Sequence, residues 1–148
     1  MPELPEVETT IRGLNILIGQ KINKVQIHKK KLRYTIPNTI LKIQKKSIIN
    51  SVQRLAKYIL IQLSTDHCII FHLGMSGRLK IVDKNIKKEK HDHFVINLSN
   101  SKLVFNDPRR FGFIDFDTTK KIYNKRYLFN LGIDACLLYT SPSPRDRG

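Results

Sequence analysis

The sequence predicts a mainly β protein: a two-layer antiparallel sandwich, or flattened barrel, with one amino-terminal helix packed on it. Three observations carry this expectation. Apolar residues recur at steps of three and four at the front of the chain, at Leu4, Val7, Ile11, Leu14 and Ile18, which is the spacing of one buried helical stripe. From residue 22 the pattern shortens to alternating or continuous apolar runs of strand length. Between those runs lie Gly74-Met75-Ser76-Gly77, Ser99-Asn100-Ser101 and the 107–112 segment, whose composition lets successive strands fold back on one another. A chain of 148 residues is long enough to bury one respectable core.

Taken in order, the helical stripe covers residues 4–18, and Gly19 is a plausible stop. Glu3 and Glu6 stay off the stripe, near the positive end of the helix. Residues 22–27 alternate as a strand and lead into a basic run at 28–33. Residues 41–49 mix periods and receive no assignment. Residues 52–63 read as strand material interrupted at Arg54 and at Ala56-Lys57-Tyr58. A strongly apolar strand at 68–73 ends in the 74–77 turn, and 78–82 begins the next strand. Residues 84–92 are polar loop, 93–98 and 102–106 form a hairpin around 99–101, and 107–112 is a loop before a strand at 113–117. A short helix is expected at 123–131. Residues 1–134 are taken as one domain. The 135–148 tail, with its SPSPRDRG close, has no periodicity. It reads either as a disordered tail or as translated read-through, so no function is drawn from it.

Charge narrows the partners. Lys and Arg number 27 against 12 Asp and Glu, for a net charge of +15, and residues 9–65 contain 12 of the cations and no acid. Such a surface attracts polyanions, of which nucleic acid is the commonest and an anionic membrane the competitor. No long apolar span or export signal is visible. Cys68 and Cys136 make neither a metal cluster nor a disulfide scaffold, which fits a reducing, cytoplasmic setting.

Four stretches carry candidate chemistry. With residue 2 small, trimming of Met1 would leave Pro2 with a free secondary amine. Alpha-amines titrate near about 7.7–8.0, so a neutral fraction is available to attack an electrophilic carbon and form an iminium. Glu3 could carry the proton. The plain alternative is that Pro2 and Pro5 only open a helix. Lys57 could hold a phosphate beside a reacting nucleotide, or be a solvated strand lysine. Met75, between two glycines, is either core filler or a pliable wedge for a duplex from which a base has left. In the 107–112 segment, adjacent arginines and Phe111 suit a probe of unpaired bases, or else a solvated basic turn with its ring packed inward. His91 and His93 flank Asp92 and suit phosphate contact or loop surface; no third metal ligand is evident, and no metal is expected.

PELPEVETT at 2–10, SVQRLAKY at 51–58, HLGMSGRL at 72–79, KHDH at 90–93 and DPRRFG at 107–112 together resemble the bacterial formamidopyrimidine-DNA glycosylase family, over residues 2–134. The resemblance implies base excision of oxidised purines (8-oxoguanine and formamidopyrimidines) followed by β,δ-elimination. It makes Pro2 the nucleophile at C1′, Glu3 the acid/base, Glu6 an acidic residue of the same site and Lys57 the lysine beside the lesion. Met75, Arg109 and Phe111 would fill the space left by the everted base, with Arg109 facing the orphaned partner, while Arg110, His91 and His93 contact DNA. The implied partner is damaged double-stranded DNA, bound by a monomer in the bacterial cytoplasm, at the nucleoid. Family members also carry a helix-two-turn-helix domain and a four-cysteine zinc finger, neither of which this sequence contains. The fragment is therefore expected to need no cofactor and to be weak or inactive as an enzyme. A non-catalytic basic DNA-binding module and a membrane-surface domain are the competing readings.

Overall fold

The computed structural model describes residues 15–125, apart from Gln44 and Lys46. Among these residues the chain forms β1 (Ile22–Ile27), β2 (Ile49–Leu55), β3 (Tyr58–Leu63), β4 (His67–His72), β5 (Arg78–Val82), β6 (Asp92–Leu98), β7 (Lys102–Asn106) and β8 (Phe113–Thr118). They make two four-stranded antiparallel sheets, ordered β1-β6-β7-β5 and β2-β3-β4-β8. The two-layer antiparallel architecture expected from the sequence is the one observed.

Alternation explains which face each strand buries. In β3 and β4, Ile59, Ile61, Leu63, Ile69 and Phe71 point between the sheets, where they meet Phe94, Ile96, Leu98, Leu103 and Phe105 of the first sheet. Their neighbours Tyr58, Leu60, Cys68 and Ile70 form a second cluster on the outer face, joined by Phe113 and Ile122. Both faces of the second sheet are thus covered, which is why its strands read as continuous apolar runs. The Cys68 thiol belongs to that outer cluster, and burial pushes its pKa up to about 12. It is an inert packing group.

Several elements differ from expectation for physical reasons. The apparent strand at 52–63 is a hairpin: Leu55 pairs with Tyr58, and Ala56, at φ 56°, turns the chain between them. The unassigned 41–49 region follows a 3-10 turn at Asn38–Lys42 that buries Ile40. Ile18 was expected on the buried stripe but is 46% exposed, whereas Leu17 is fully buried. Residues Asn15–Leu17 form a 3-10 turn there, and Gly19 follows at φ 92°. The later helix runs Thr119–Tyr123, with Thr118 as its N-cap, ahead of the expected 123–131 span. The rest of that span, the 4–14 part of the first helix, and the 135–148 tail lie outside the described residues.

The topology concentrates several connections at one end of the sandwich. The chain passes from the second sheet to the first between β4 and β5, and returns between β7 and β8. His72 pairs with Phe113 and Arg78 with Asn106, so the 73–77 and 107–112 connections run side by side. The β2–β3 turn joins them, because Tyr58 pairs with His72.

Replacing Phe71, whose ring is fully buried between Phe94 and Phe105, tests the inter-sheet core. Phe71→Ala is expected to lower unfolding free energy by about 3–5 kcal/mol in denaturant titrations.

Candidate nucleic-acid interface

The two sheet-crossing connections are fastened by Asp107, which is fully buried. Its Oδ1 accepts the Ser76 hydroxyl at 2.6 Å, and its Oδ2 accepts the Gly112 N–H at 2.9 Å. Its carbonyl accepts His93 Nε2–H at 2.8 Å and the Arg110 N–H at 3.2 Å, while its own N–H donates to the His91 carbonyl at 3.1 Å. Ser76 Oγ in turn accepts the Arg109 N–H at 3.1 Å. The Asp107 side chain therefore ties the two connections together, and its main-chain carbonyl ties them to the start of β6.

Close backbone approach requires the glycines. A Cβ on Gly112 would lie 2.3 Å from the His72 carbonyl oxygen, and one on Gly74, at φ 61°, would lie 2.7 Å from Gly112 N. Neither contact is sterically possible, so the two loops touch through bare backbone. From this base the Met75 and Phe111 side chains project outward, 62% and 48% exposed. Arg109 lies beside Met75, its Nη1 4.0 Å from Sδ. The structure thus brings Met75, Arg109, Arg110 and Phe111 to one exposed edge. The inward-packed alternative for Met75 and Phe111 does not hold.

Lys57 joins the same edge. The Leu73 N–H donates to its carbonyl at 3.0 Å, and its ammonium donates to the Gly74 carbonyl at 3.0 Å. An exposed ammonium held by one carbonyl keeps two protons free for an anion.

The two histidines separate. His93 is buried, and its Nε2 must carry the proton because a carbonyl only accepts. The expected phosphate contact is not available to a ring buried in this way; its role is to hold the loop. His91 is half-buried at φ 73°, and its carbonyl receives Asp107. Sequence reasoning gave no role to Asp107, Ser76 or His72. His72 Nδ1 accepts the Gly74 N–H at 3.2 Å, so that ring is also neutral, and it stacks on Phe113 with centroids 5.1 Å apart. Burial lowers its pKa below the usual 6.5, aided by the charges of Arg33 and Lys57. Burial likewise lowers that of His93, against the opposing hydrogen bond to Asp107. Pro2, Glu3 and Glu6 lie outside the described residues.

The model of the formamidopyrimidine-DNA glycosylase N-terminal domain matches residues 1–114, and the chain belongs to that family. It is 48% identical over 134 residues to the formamidopyrimidine-DNA glycosylase of Zymomonas mobilis, covering 89% of this chain and 49% of that protein. It is 44% identical over 137 residues to that of Rickettsia bellii, covering 90% and 50%. The chain spans about half the length of the relatives it matches. Among solved structures, the Lactococcus lactis protein bound to DNA containing Fapy-dG superposes with a TM-score of 0.74 at 28% identity, over 86% of this chain and 48% of that one.

Two outcomes follow from the clasp. Asp107→Ala leaves buried donors unpaired and is expected to cost about 1–3 kcal/mol for each group that finds no water, whereas Phe111→Ala changes stability by less than about 0.5 kcal/mol; chemical denaturation separates them. Because the folded-state pKa values of His72 and His93 are depressed, both rings contribute stability above their unfolded pKa that is lost as pH falls below 6.5. Melting temperature should therefore drop between pH 7 and 5, with a smaller drop in His72→Gln.

Proposed function

We propose that this chain is the catalytic half of a DNA repair glycosylase and AP lyase that removes oxidised purines. The observation that carries the reading is the Asp107 clasp, which holds exposed Met75, Arg109 and Phe111 as one rigid probe with the Lys57 ammonium alongside. A solvated loop has no need for a fully buried carboxyl group beneath it. A side-chain group that enters a duplex does, because a mobile probe would lose ordering entropy on every insertion.

In this reading Met75 and Phe111 enter the stack where the damaged nucleotide leaves, and Arg109 hydrogen-bonds the partner base. Unstacking costs a few kcal/mol, which the inserted side chains offset in part. Lys57 holds a phosphate next to the everted nucleotide, and Arg110 contacts the backbone. The neutral Pro2 amine attacks C1′, the bond from C1′ to the base breaks, and the base leaves with a proton. The C1′–O4′ bond then opens, O4′ taking a proton from Glu3 while the nitrogen lone pair closes the iminium, and that iminium acidifies the C2′ hydrogen. Its removal expels the 3′ phosphate, and a second elimination expels the 5′ phosphate. Glu3 carries protons in these steps, and Glu6 helps orient the amine. This amine route calls on no cofactor. The protein would act as a monomer on chromosomal DNA in the bacterial cytoplasm, at the nucleoid.

Borohydride trapping on a duplex with an abasic site opposite cytosine tests the amine, using protein whose amino terminus is verified by mass. A covalent adduct mapping to Pro2 is expected, and acetylation of the amine should abolish it. Folded protein with a free Pro2 that yields no adduct would leave only the alternative, a non-catalytic DNA-binding module. For the probe, Arg109→Ala should weaken binding opposite the lesion by about 1–3 kcal/mol, in titrations with an abasic-site duplex, and weaken binding to intact duplex much less.

A further inference from the structure

The basic run at 28–33 is not used by the chemistry above, yet the fold fixes it against the probe. Its first part is held by His93, whose carbonyl accepts the His28 N–H at 2.8 Å and the Lys29 N–H at 3.1 Å. Its far end is held by Gly112, whose carbonyl accepts the Arg33 N–H at 3.2 Å. His93 and Gly112 are both also hydrogen-bonded to Asp107. Between these anchors Leu32 is 5% exposed and plugs the segment into the core, and the Ile36 N–H closes back on the Lys30 carbonyl at 2.9 Å. The backbone of this strap is therefore pinned at both ends and in the middle, while the side chains of Lys29, Lys31 and Arg33 stand in solvent.

Between strap and probe lies a groove of about 670 Å³, lined by Lys29, Lys31, Arg33, Arg109 and Arg110 together with Leu32 and Phe111. Five of those seven are cations, and none of the described residues lining it is acidic. The ion pairs of Lys80 with Glu89 and Asp92 and of Lys125 with Asp115 and Asp117 lie elsewhere. Holding like charges together on a preset backbone costs free energy unless an anion joins them. The groove is open and shaped by side chains with fixed stems, as a chain of phosphates requires.

We infer that this groove seats backbone phosphates of duplex DNA next to the point where Arg109 and Phe111 enter the stack, with Lys29 and Lys31 as the gripping side chains. The inference rests on the proposed function for the choice of polyanion. It adds a second, sequence-independent anchor: the probe tests the base, and the strap fixes where along the backbone the probe is set down. Because strap and probe share His93 and Gly112 as anchors, a phosphate in the groove fixes the height of Phe111 over the duplex.

The salt dependence of binding to an undamaged duplex tests this for the full chain. Removing one phosphate-binding cation flattens the slope of log K against log salt by about 0.9. Lys29→Gln/Lys31→Gln is expected to flatten it by nearly two units. A control, Lys84→Gln/Lys87→Gln on the exposed β5–β6 loop, removes the same charge and should change it far less. Equal slopes for the wild type and the strap variant overturn the inference, as does equal flattening in strap variant and control, which would make the effect one of net charge. Both pairs of lysines are exposed, and matching melting temperatures verify that neither variant is unfolded. Trapping at Pro2 is read separately. A strap effect without a Pro2 adduct supports the groove and removes the glycosylase chemistry, and an adduct without a strap effect does the reverse.

Discussion

Everything at the probing end depends on one buried carboxyl group. Asp107 receives Ser76 from the β4–β5 connection and Gly112 from the β7–β8 connection, so it fastens two of the points where the chain crosses between sheets. Its main-chain carbonyl meets His93 on β6, and His93 and Gly112 extend the same fastening to the basic strap. A carboxyl group is suited to this task because its two oxygens accept from two directions, and neither partner is itself a base that competes for the proton. An apolar side chain of similar size would fill the space but leave the buried Gly112 N–H unpaired and free the half-buried Ser76 hydroxyl from its acceptor. The exposed residues assigned to the proposed probe are thus positioned by a residue that is itself fully buried.

The sandwich was largely legible in the sequence because its signal is local. Residues 78–82, 93–98 and 102–106 alternate or run apolar between turn-formers, and strands form there to within a residue. The hairpin at Ala56-Lys57 was harder. The interruption at Arg54 and Ala56-Lys57-Tyr58 carries no turn residue such as glycine, because Ala56 itself takes the left-handed conformation that glycine would have advertised. The Ile18 assignment failed for a related reason. Hydrophobic spacing extends a helix on paper beyond the residue at which the backbone has already tightened.

The site was legible in its outward parts. Met75 between glycines and Phe111 beside two arginines are residue types that a core would not place in a loop, and the structure leaves both exposed. The fastening was not legible. Asp before Pro reads as a solvent turn, and the partner that makes it a buried residue, Ser76, lies 31 positions away. His93 shows the converse. Beside lysines and another histidine it reads as an anion contact, but β6 turns it inward because Asp92 and His93 are both buried at the head of the strand. A bulge between Asp92 and Phe94 is what permits two consecutive residues to face in.

Rigidity and exposure together decide whether such a probe can work. Keeping Met75 and Phe111 in water is unfavourable, and covering each recovers up to about 1.5–3 kcal/mol when burial is complete. Opening a base step costs a few kcal/mol, so two such side chains come near to balancing it, with little margin. Ordering two loose side chains and their loops on binding would remove about 0.5–1.5 kcal/mol for each group immobilised, enough to turn the balance against insertion. The glycines at 74 and 112 and the Asp107 clasp place that ordering cost in the folding of the domain, where the large inter-sheet core can bear it. Cations cannot substitute for this. They hold duplex of any sequence equally well, and salt weakens them together. In the proposed function, distinguishing a damaged site from intact duplex would therefore fall to the clasped loops, while the strap and Lys57 would supply the grip that keeps those loops at the stack.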